Sequence, residues 1–299
     1  MTIDEGEQEL LRATLRHVLD TNPPAGVPAA LIAEGWADLV DADPGTAITA
    51  LAEEAGRLRS AAPVANLAVL WGAGLAADAA TAVIIDGFSF ADAIRAERFV
   101  RVAPDGIVAV ASAHVALAPA GGFDPALGLL RADFDARHAE AIGNAAVAEA
   151  AIAAGRRALA AQMVGAAGQM LADTLVYVTD RHQYGRAIGS FQTVKHRLAE
   201  VKVAVVAAAA GVRAAWEVGD AVTAIAAKCL AGRAQQLASQ HCFQVHGGIA
   251  FTVEHGFQQW VRRGLLLDAL LGPHDQLVAE LGRRIIATGE VPRVPALNP

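Results

Sequence analysis

The stretch Tyr177–Glu200, YVTDRHQYGRAIGSFQTVKHRLAE, decides how the rest of the chain is read. Its charges, glycines and aromatics fall in an order that helix chemistry alone does not require: Arg181, then Tyr184-Gly185, then Phe191-Gln192, then a helix opening on His196 and Leu198-Ala199. A planar guanidinium such as that of Arg181 matches a pyrophosphate and stays charged at any relevant pH. Read alone, Arg181 is more often a solvated arginine near a helix end, where the dipole stabilises it. A second stretch, QVHGGIAFTVEH at Gln244–His255, puts Gly247 and Gly248 where backbone can approach a ligand and offer N–H donors. Its plain alternative is a helix-ending Gly-Gly turn. Thr252 and Glu254 read as a cap and its partner in the turn that follows.

Outward from these stretches, composition sets the class. The chain of 299 residues is 54% hydrophobic, much of it alanine, which predicts an α-rich protein with a substantial core. With 24 basic and 31 acidic side chains the net charge is −7, which argues against a general affinity for nucleic acid or anionic membranes. Cys229 and Cys242 share one predicted helical region without metal-type spacing, so free or buried thiols and a reducing cytoplasm are expected. The start, MTIDEGEQELL, lacks the basic-then-apolar order of a secretory signal. The most apolar stretch, Val201–Trp216, is interrupted by Lys202 and Arg213 and is too short to span a bilayer. No His/Cys/Asp cluster suggests a metal, and no Gly-x-Ser-x-Gly elbow, Walker loop or Gly-x-Gly-x-x-Gly is present.

Periodicity predicts helices over residues 4–20, about 29–40, 46–59 and from Pro63 to about Asp78. Between Thr81 and Asp135 it changes to short β-like runs at Ala82–Ile85, Phe99–Val102, Ile107–Val110 and Val115–Ala118. From about His138 long helices return, with turns near Gly185–Gly189, Gly219–Asp220, Gly247–Gly248 and Gly272–Pro273, and an up-down antiparallel bundle is the expected packing. The predicted division is a helical region at 1–80, a β segment at 81–136 and a four-helix-bundle domain at 137–299.

Both quoted stretches, and the order α, β, bundle, resemble the acyl-CoA dehydrogenase family. The resemblance is close in the carboxy-terminal half; in the amino-terminal half it rests on Gly35-Trp36, Glu53–Gly56 and Ala62–Pro63. It implies a mainly α, acyl-CoA dehydrogenase-like fold with a truncated amino-terminal region and a reduced β segment. It also implies FAD as cofactor, with Arg181, Tyr184, Gln192, Gln244, Gly247 and Gly248 serving a flavin held mainly by a neighbouring subunit. The β segment shows no Trp- or Tyr-bearing strand ending in Ser/Thr pairs, so a complete flavin pocket is not expected in this chain.

In the family a carboxylate removes the proton next to the thioester while hydride leaves the adjacent carbon. The resemblance puts Leu271 at the usual position of that Glu and Gly155 at the position used by another branch, and neither accepts a proton. Asp268, three residues before Leu271, is the candidate for a displaced base on the same helix face. His246 and His274, beside turns, read as hydrogen-bonded structure. The implied protein is a short, non-catalytic subunit of a heteromeric, FAD-dependent acyl-CoA dehydrogenase, resembling the paired enzymes of actinobacterial steroid breakdown. Its partner would be a larger catalytic subunit, in an assembly of α2β2 type, acting on a bulky acyl-CoA. The alternatives are an inactive structural or regulatory homologue and a self-sufficient homo-oligomer with a displaced base.

Overall fold

Asn144 starts the element on which the molecule is built: its side chain accepts from the N–H groups of Ala146 and Val147 and caps α6, Ala145–Asp180. The computed structural model describes residues 5–289 and 291. Five helices precede the sheet: α1 (Glu5–Thr21), α2 (Val27–Ala33), α3 (Trp36–Ala42), α4 (Pro44–Leu58) and α5 (Val64–Gly72). The single helix expected over 29–40 is broken by Gly35, whose φ of 84° takes the chain into the left-handed region and restarts it as α3. α5 stops at Gly72, short of the predicted Asp78. Helices α4 and α6 cross with backbones almost touching, because a Cβ on Gly56 would lie 2.0 Å from the Gln162 carbonyl oxygen and one on Gly165 2.1 Å from that of Glu53.

The middle segment forms a seven-stranded sheet in the order β5-β6-β2-β1-β3-β4-β7. Its strands are β1 (Thr81–Ile85), β2 (Phe88–Ser89), β3 (Arg98–Ala103), β4 (Gly106–Ala111), β5 (Val115–Pro119), β6 (Leu130–Phe134) and β7 (Glu140–Gly143). β1 and β3 pair in parallel and the remaining pairs are antiparallel. The four predicted runs are β1, β3, β4 and β5. β2, β6 and β7 were not predicted: β2 is two residues long, β6 carries Arg131 and Asp133, and β7 is built from Glu, Ala, Ile and Gly. Their strand state comes from pairing across the sheet rather than from local propensity. β7 also occupies the start of what reads as a helical stretch after His138.

Beyond α6 the chain turns through β8 (His182–Gln183) and β9 (Arg186–Ala187) into α7 (Gln192–Val218), α8 (Ala221–His246), α9 (Gln258–Ala269) and α10 (His274–Thr288). The turns at 185–189, 219–220, 247–248 and 272–273 stand where the sequence puts them. Gly219 ends α7 at φ 80°, and Asp220 caps α8 by accepting from the Thr223 N–H at 2.7 Å. α6, α7 and α8 alternate in direction, so the end of α6, the start of α7 and the end of α8 lie together. Both cysteines are free and buried. Among the described residues no helix is long and apolar enough to cross a membrane.

Candidate functional site

Arg181 closes α6, its N–H donating to the Tyr177 carbonyl at 2.9 Å while its own carbonyl accepts from Ile188 at 2.8 Å. The intervening hairpin pairs His182 with Ala187 and Gln183 with Arg186. Tyr184 and Gly185 have φ 53° and 77°, so both central residues are left-handed, the turn whose twist fits a two-residue hairpin. This geometry pushes the Tyr184 side chain out to 93% exposure, in edge contact with Phe191, whose ring lies 4.1 Å under the Arg186 guanidinium. Gln192, the first residue of α7, is exposed, as is Arg181, which forms no ion pair among the described residues.

The end of α8 meets the last turn of α6 through an aromatic cluster. The Tyr177 ring stacks on His246 at 4.4 Å and its hydroxyl donates to the His246 carbonyl at 3.4 Å. His255 and Phe257 close around the same imidazole at 4.8 and 4.4 Å. His246 donates from Nδ1 to the Cys242 carbonyl at 2.8 Å, and burial pushes its pKa below the ordinary histidine value, so it is neutral at pH 7. The expectation that His246 is hydrogen-bonded structure agrees with this geometry. Tyr177, Arg181, His246 and His255 together line a depression of about 430 Å³. Gln244 stands exposed two residues before His246.

Gly247 ends α8 at φ 69°, which explains a glycine there. Gly248 is different: its φ is not positive, and a Cβ would meet nothing within 4 Å. The fold itself gives no reason for that glycine, whereas a second molecule approaching the backbone would. This observation, with an Arg181 that forms no ion pair among the described residues and lines the depression beside His246, fits the pyrophosphate-bearing group that the sequence implies. Thr252 does not cap the next helix. Its hydroxyl donates back to the Ile249 carbonyl at 3.0 Å, Glu254 makes no hydrogen bond or ion pair among the described residues, and α9 starts only at Gln258.

The two positions at which a base was sought are one place in space. Leu271 is buried, and a Cβ on Gly155 would lie 2.6 Å from Leu271 Cδ1 and 2.7 Å from Val69 Cγ2. The leucine therefore fills the hole that the glycine leaves. Leu271 is held at φ 56° by Asp86, which accepts its N–H at 2.7 Å, and by Arg156, whose Nε donates to its carbonyl at 2.9 Å. Because α9 ends at Ala269 and Leu271 is left-handed, Asp268 does not share a helix face with it, contrary to the spacing argument. Asp268 is half-buried and engaged: Oδ2 accepts from His274 Nδ1 at 2.8 Å and Oδ1 from the His274 N–H at 3.2 Å.

Beneath them Lys228, fully buried, donates to the carbonyls of Asp268 at 2.8 Å and Gly272 at 3.0 Å. Burial brings its pKa down to about 8, with Asp268 opposing the shift. Asp86 and Lys228 were missed in the sequence. They lie 185 and 44 residues from their partners at Leu271 and Gly272, and no local pattern marks them.

Residues 145–286 match the model for acyl-CoA dehydrogenase, C-terminal domain. That stretch, 142 of the 299 residues and so just under half of the chain, is similar to an acyl-CoA dehydrogenase C-terminal domain. A curated relative, acyl-CoA dehydrogenase IpdE2 of Mycolicibacterium smegmatis, is 40% identical over 115 residues, which is 38% of this chain and 37% of the relative's length. The chain thus aligns with little more than a third of that relative. Across nearly its whole length the protein has the acyl-CoA dehydrogenase fold. The Tcur3481–Tcur3483 steroid ACAD superposes with a TM-score of 0.76 at 20% identity, covering 95% of this chain and 98% of that one. The ChsE4–ChsE5 complex from Mycobacterium tuberculosis superposes with a TM-score of 0.72 at 19% identity, covering 98% and 99%.

Proposed function

We propose that this chain is the non-catalytic subunit of a heteromeric, FAD-dependent acyl-CoA dehydrogenase that desaturates a bulky, steroid-derived acyl-CoA. The observation that carries this reading is the plug formed by Leu271 on Gly155 and Val69, which fills with hydrocarbon the place where an acid would have to stand. The partner subunit supplies the base, most of the flavin pocket and the thioester site. A two-protein complex and a protein named as a steroid ACAD among the structural neighbours support the pairing and the substrate class. When bound, FAD supplies the hydride acceptor for α,β-desaturation.

The residues of this chain act by holding and orienting. Arg181 sets a fixed positive charge beside the pyrophosphate and Gly248 lets its backbone come within hydrogen-bond reach. Gln192 and Gln244 offer amide donors and acceptors to the adenine and ribose part. Tyr184 and Phe191 form an apolar ledge that excludes water on one side. Tyr177 and His246 fix the end of α8, and a neutral His246 adds no second charge to compete with Arg181.

Co-expression with a candidate catalytic subunit tests the reading. A yellow hetero-oligomer of α2β2 composition that oxidises acyl-CoA is expected, and Arg181→Ala in that complex is expected to weaken FAD retention by at least about tenfold. A colourless chain that never associates would make it an inactive homologue. Turnover by the purified chain alone would make it a self-sufficient enzyme and overturn the proposal.

A further inference from the structure

Toward the opposite end of α6 and α7 from Arg181, the first turn of α4, the last turn of α5 and helix α1 enclose a cavity of about 550 Å³. The flavin-facing reading makes no use of it. Arg157 lines this cavity and is only 3% exposed. One of its nitrogens, Nη2, donates to the Asp220 carbonyl at 2.9 Å, while Nε meets no acceptor. Among the described residues it has no carboxylate within 4 Å, unlike Arg12 on the same wall, which pairs with Glu53 at 2.8 Å. A guanidinium taken out of water without a counter-ion is among the more costly things a fold can bury.

The wall beside Arg157 is aromatic. Its guanidinium carbon lies 5.0 Å from the centre of the Trp216 ring, and Trp71 meets Trp216 edge-on at 5.4 Å. Stacking recovers part of the desolvation cost, and the Asp220 carboxylate acts on the charge from beyond 4 Å, so no anion among the described residues touches the guanidinium. The indole N–H of Trp216 also lacks an acceptor. Asp43, on the same rim, turns both oxygens to Thr46, at 3.0 Å to its N–H and 2.7 Å to its hydroxyl, and so does not serve as the missing anion. Glu217 is exposed at the mouth.

A buried cation without its anion and an indole donor without its acceptor therefore border one cavity walled by two tryptophans. We propose that this cavity binds a small organic carboxylate with a planar apolar body, the carboxylate pairing with Arg157 and the body lying against Trp71 and Trp216. Arg12 on this lining is paired with Glu53 and Arg213 is exposed to solvent, so the buried Arg157 is the guanidinium that calls for an anion; a planar carboxylate matches its geometry, and the aromatic walls favour a flat hydrocarbon over a hydrated inorganic anion. The inference is independent of the flavin-facing reading.

Isothermal titration of the full-length chain, in its complex where a partner co-purifies, with benzoate, benzamide and acetate tests it. Benzoate is expected to bind saturably at about one site per chain, with benzamide and acetate each weaker by at least about tenfold. Arg157→Met is expected to weaken benzoate by a similar factor. Thr49→Phe, which fills the cavity and leaves every charge in place, is expected to abolish binding. It decides the matter should Arg157→Met fail to fold. No saturable heat with benzoate, equal affinity for benzamide, or unchanged benzoate binding in Thr49→Phe would each overturn the proposal.

Discussion

The two ends of α6 differ in how they treat their polar groups. At Arg181 the donors face outward: the guanidinium has no ion pair among the described residues, Tyr184 is almost fully exposed, and Gly248 borders open space. At Gly155 the groups are engaged with one another, beside a depression of about 490 Å³ lined by Asp86, Arg156, Leu271 and Gly272. Leu271 fills the glycine's hole, Asp86 and Arg156 hold its backbone, and Lys228 is spent on two carbonyls. A surface whose hydrogen-bonding capacity is unused contributes little to the stability of its own chain and is available to another molecule. A site whose capacity is consumed contributes to the fold and has few free hydrogen-bonding groups to offer another molecule.

That contrast is open to direct attack at the closed end first. Leu271→Glu puts a carboxylate among Val69 and Gly155 and is expected to destabilise the chain by about 3 kcal/mol or more, read by chemical denaturation. A neutral effect would mean that the plug is loose and the site still accessible. The buried lysine gives the next largest effect. Its pKa falls from 10.5 in the unfolded chain to about 8 in the fold, so its contribution is fully present above pH 10.5 and is lost as pH falls through 8. Relative to Lys228→Met, the wild type is expected to gain about 3 kcal/mol between pH 7 and 10.5. A difference that stays flat with pH would show a solvated ammonium and an open site.

Gly155→Ala, which pushes a methyl into Leu271 and Val69, is expected to cost about 1–2 kcal/mol in the same assay. At the open end the expected change in stability is smallest. Arg181→Ala and Gly248→Ala should each move it by less than about 0.5 kcal/mol while lowering flavin content in the complex, read by the ratio of visible to ultraviolet absorbance. A large loss of stability in either variant would make that residue structural and erase the difference between the two ends.

How much of this was legible in the sequence followed the distance between partners. The local course of the chain at Arg181, Tyr184, Gly185 and Gln192 was, because these residues are near neighbours and a hairpin and a helix start carry them. The turns were legible for the same reason, since Gly219 and Asp220 act within one helical turn. Strands β2, β6 and β7 were not, because a two-residue strand and an Ala-Gly strand owe their state to neighbours elsewhere in the chain. The placing of Asp268 beside Leu271 failed because helical spacing was carried past the end of α9 into a left-handed residue.

Residue types alone determined that the chain is helix-rich, that Arg181 carries a fixed positive charge, and that neither Leu271 nor Gly155 takes a proton. These are properties of side-chain chemistry and survive any packing. Only tertiary structure decided that those last two residues are one contact, that Lys228 is buried beneath them and that Arg157 is left without a counter-ion. Burial and pairing depend on groups tens to hundreds of residues apart, which become neighbours only when the helices and the sheet have packed.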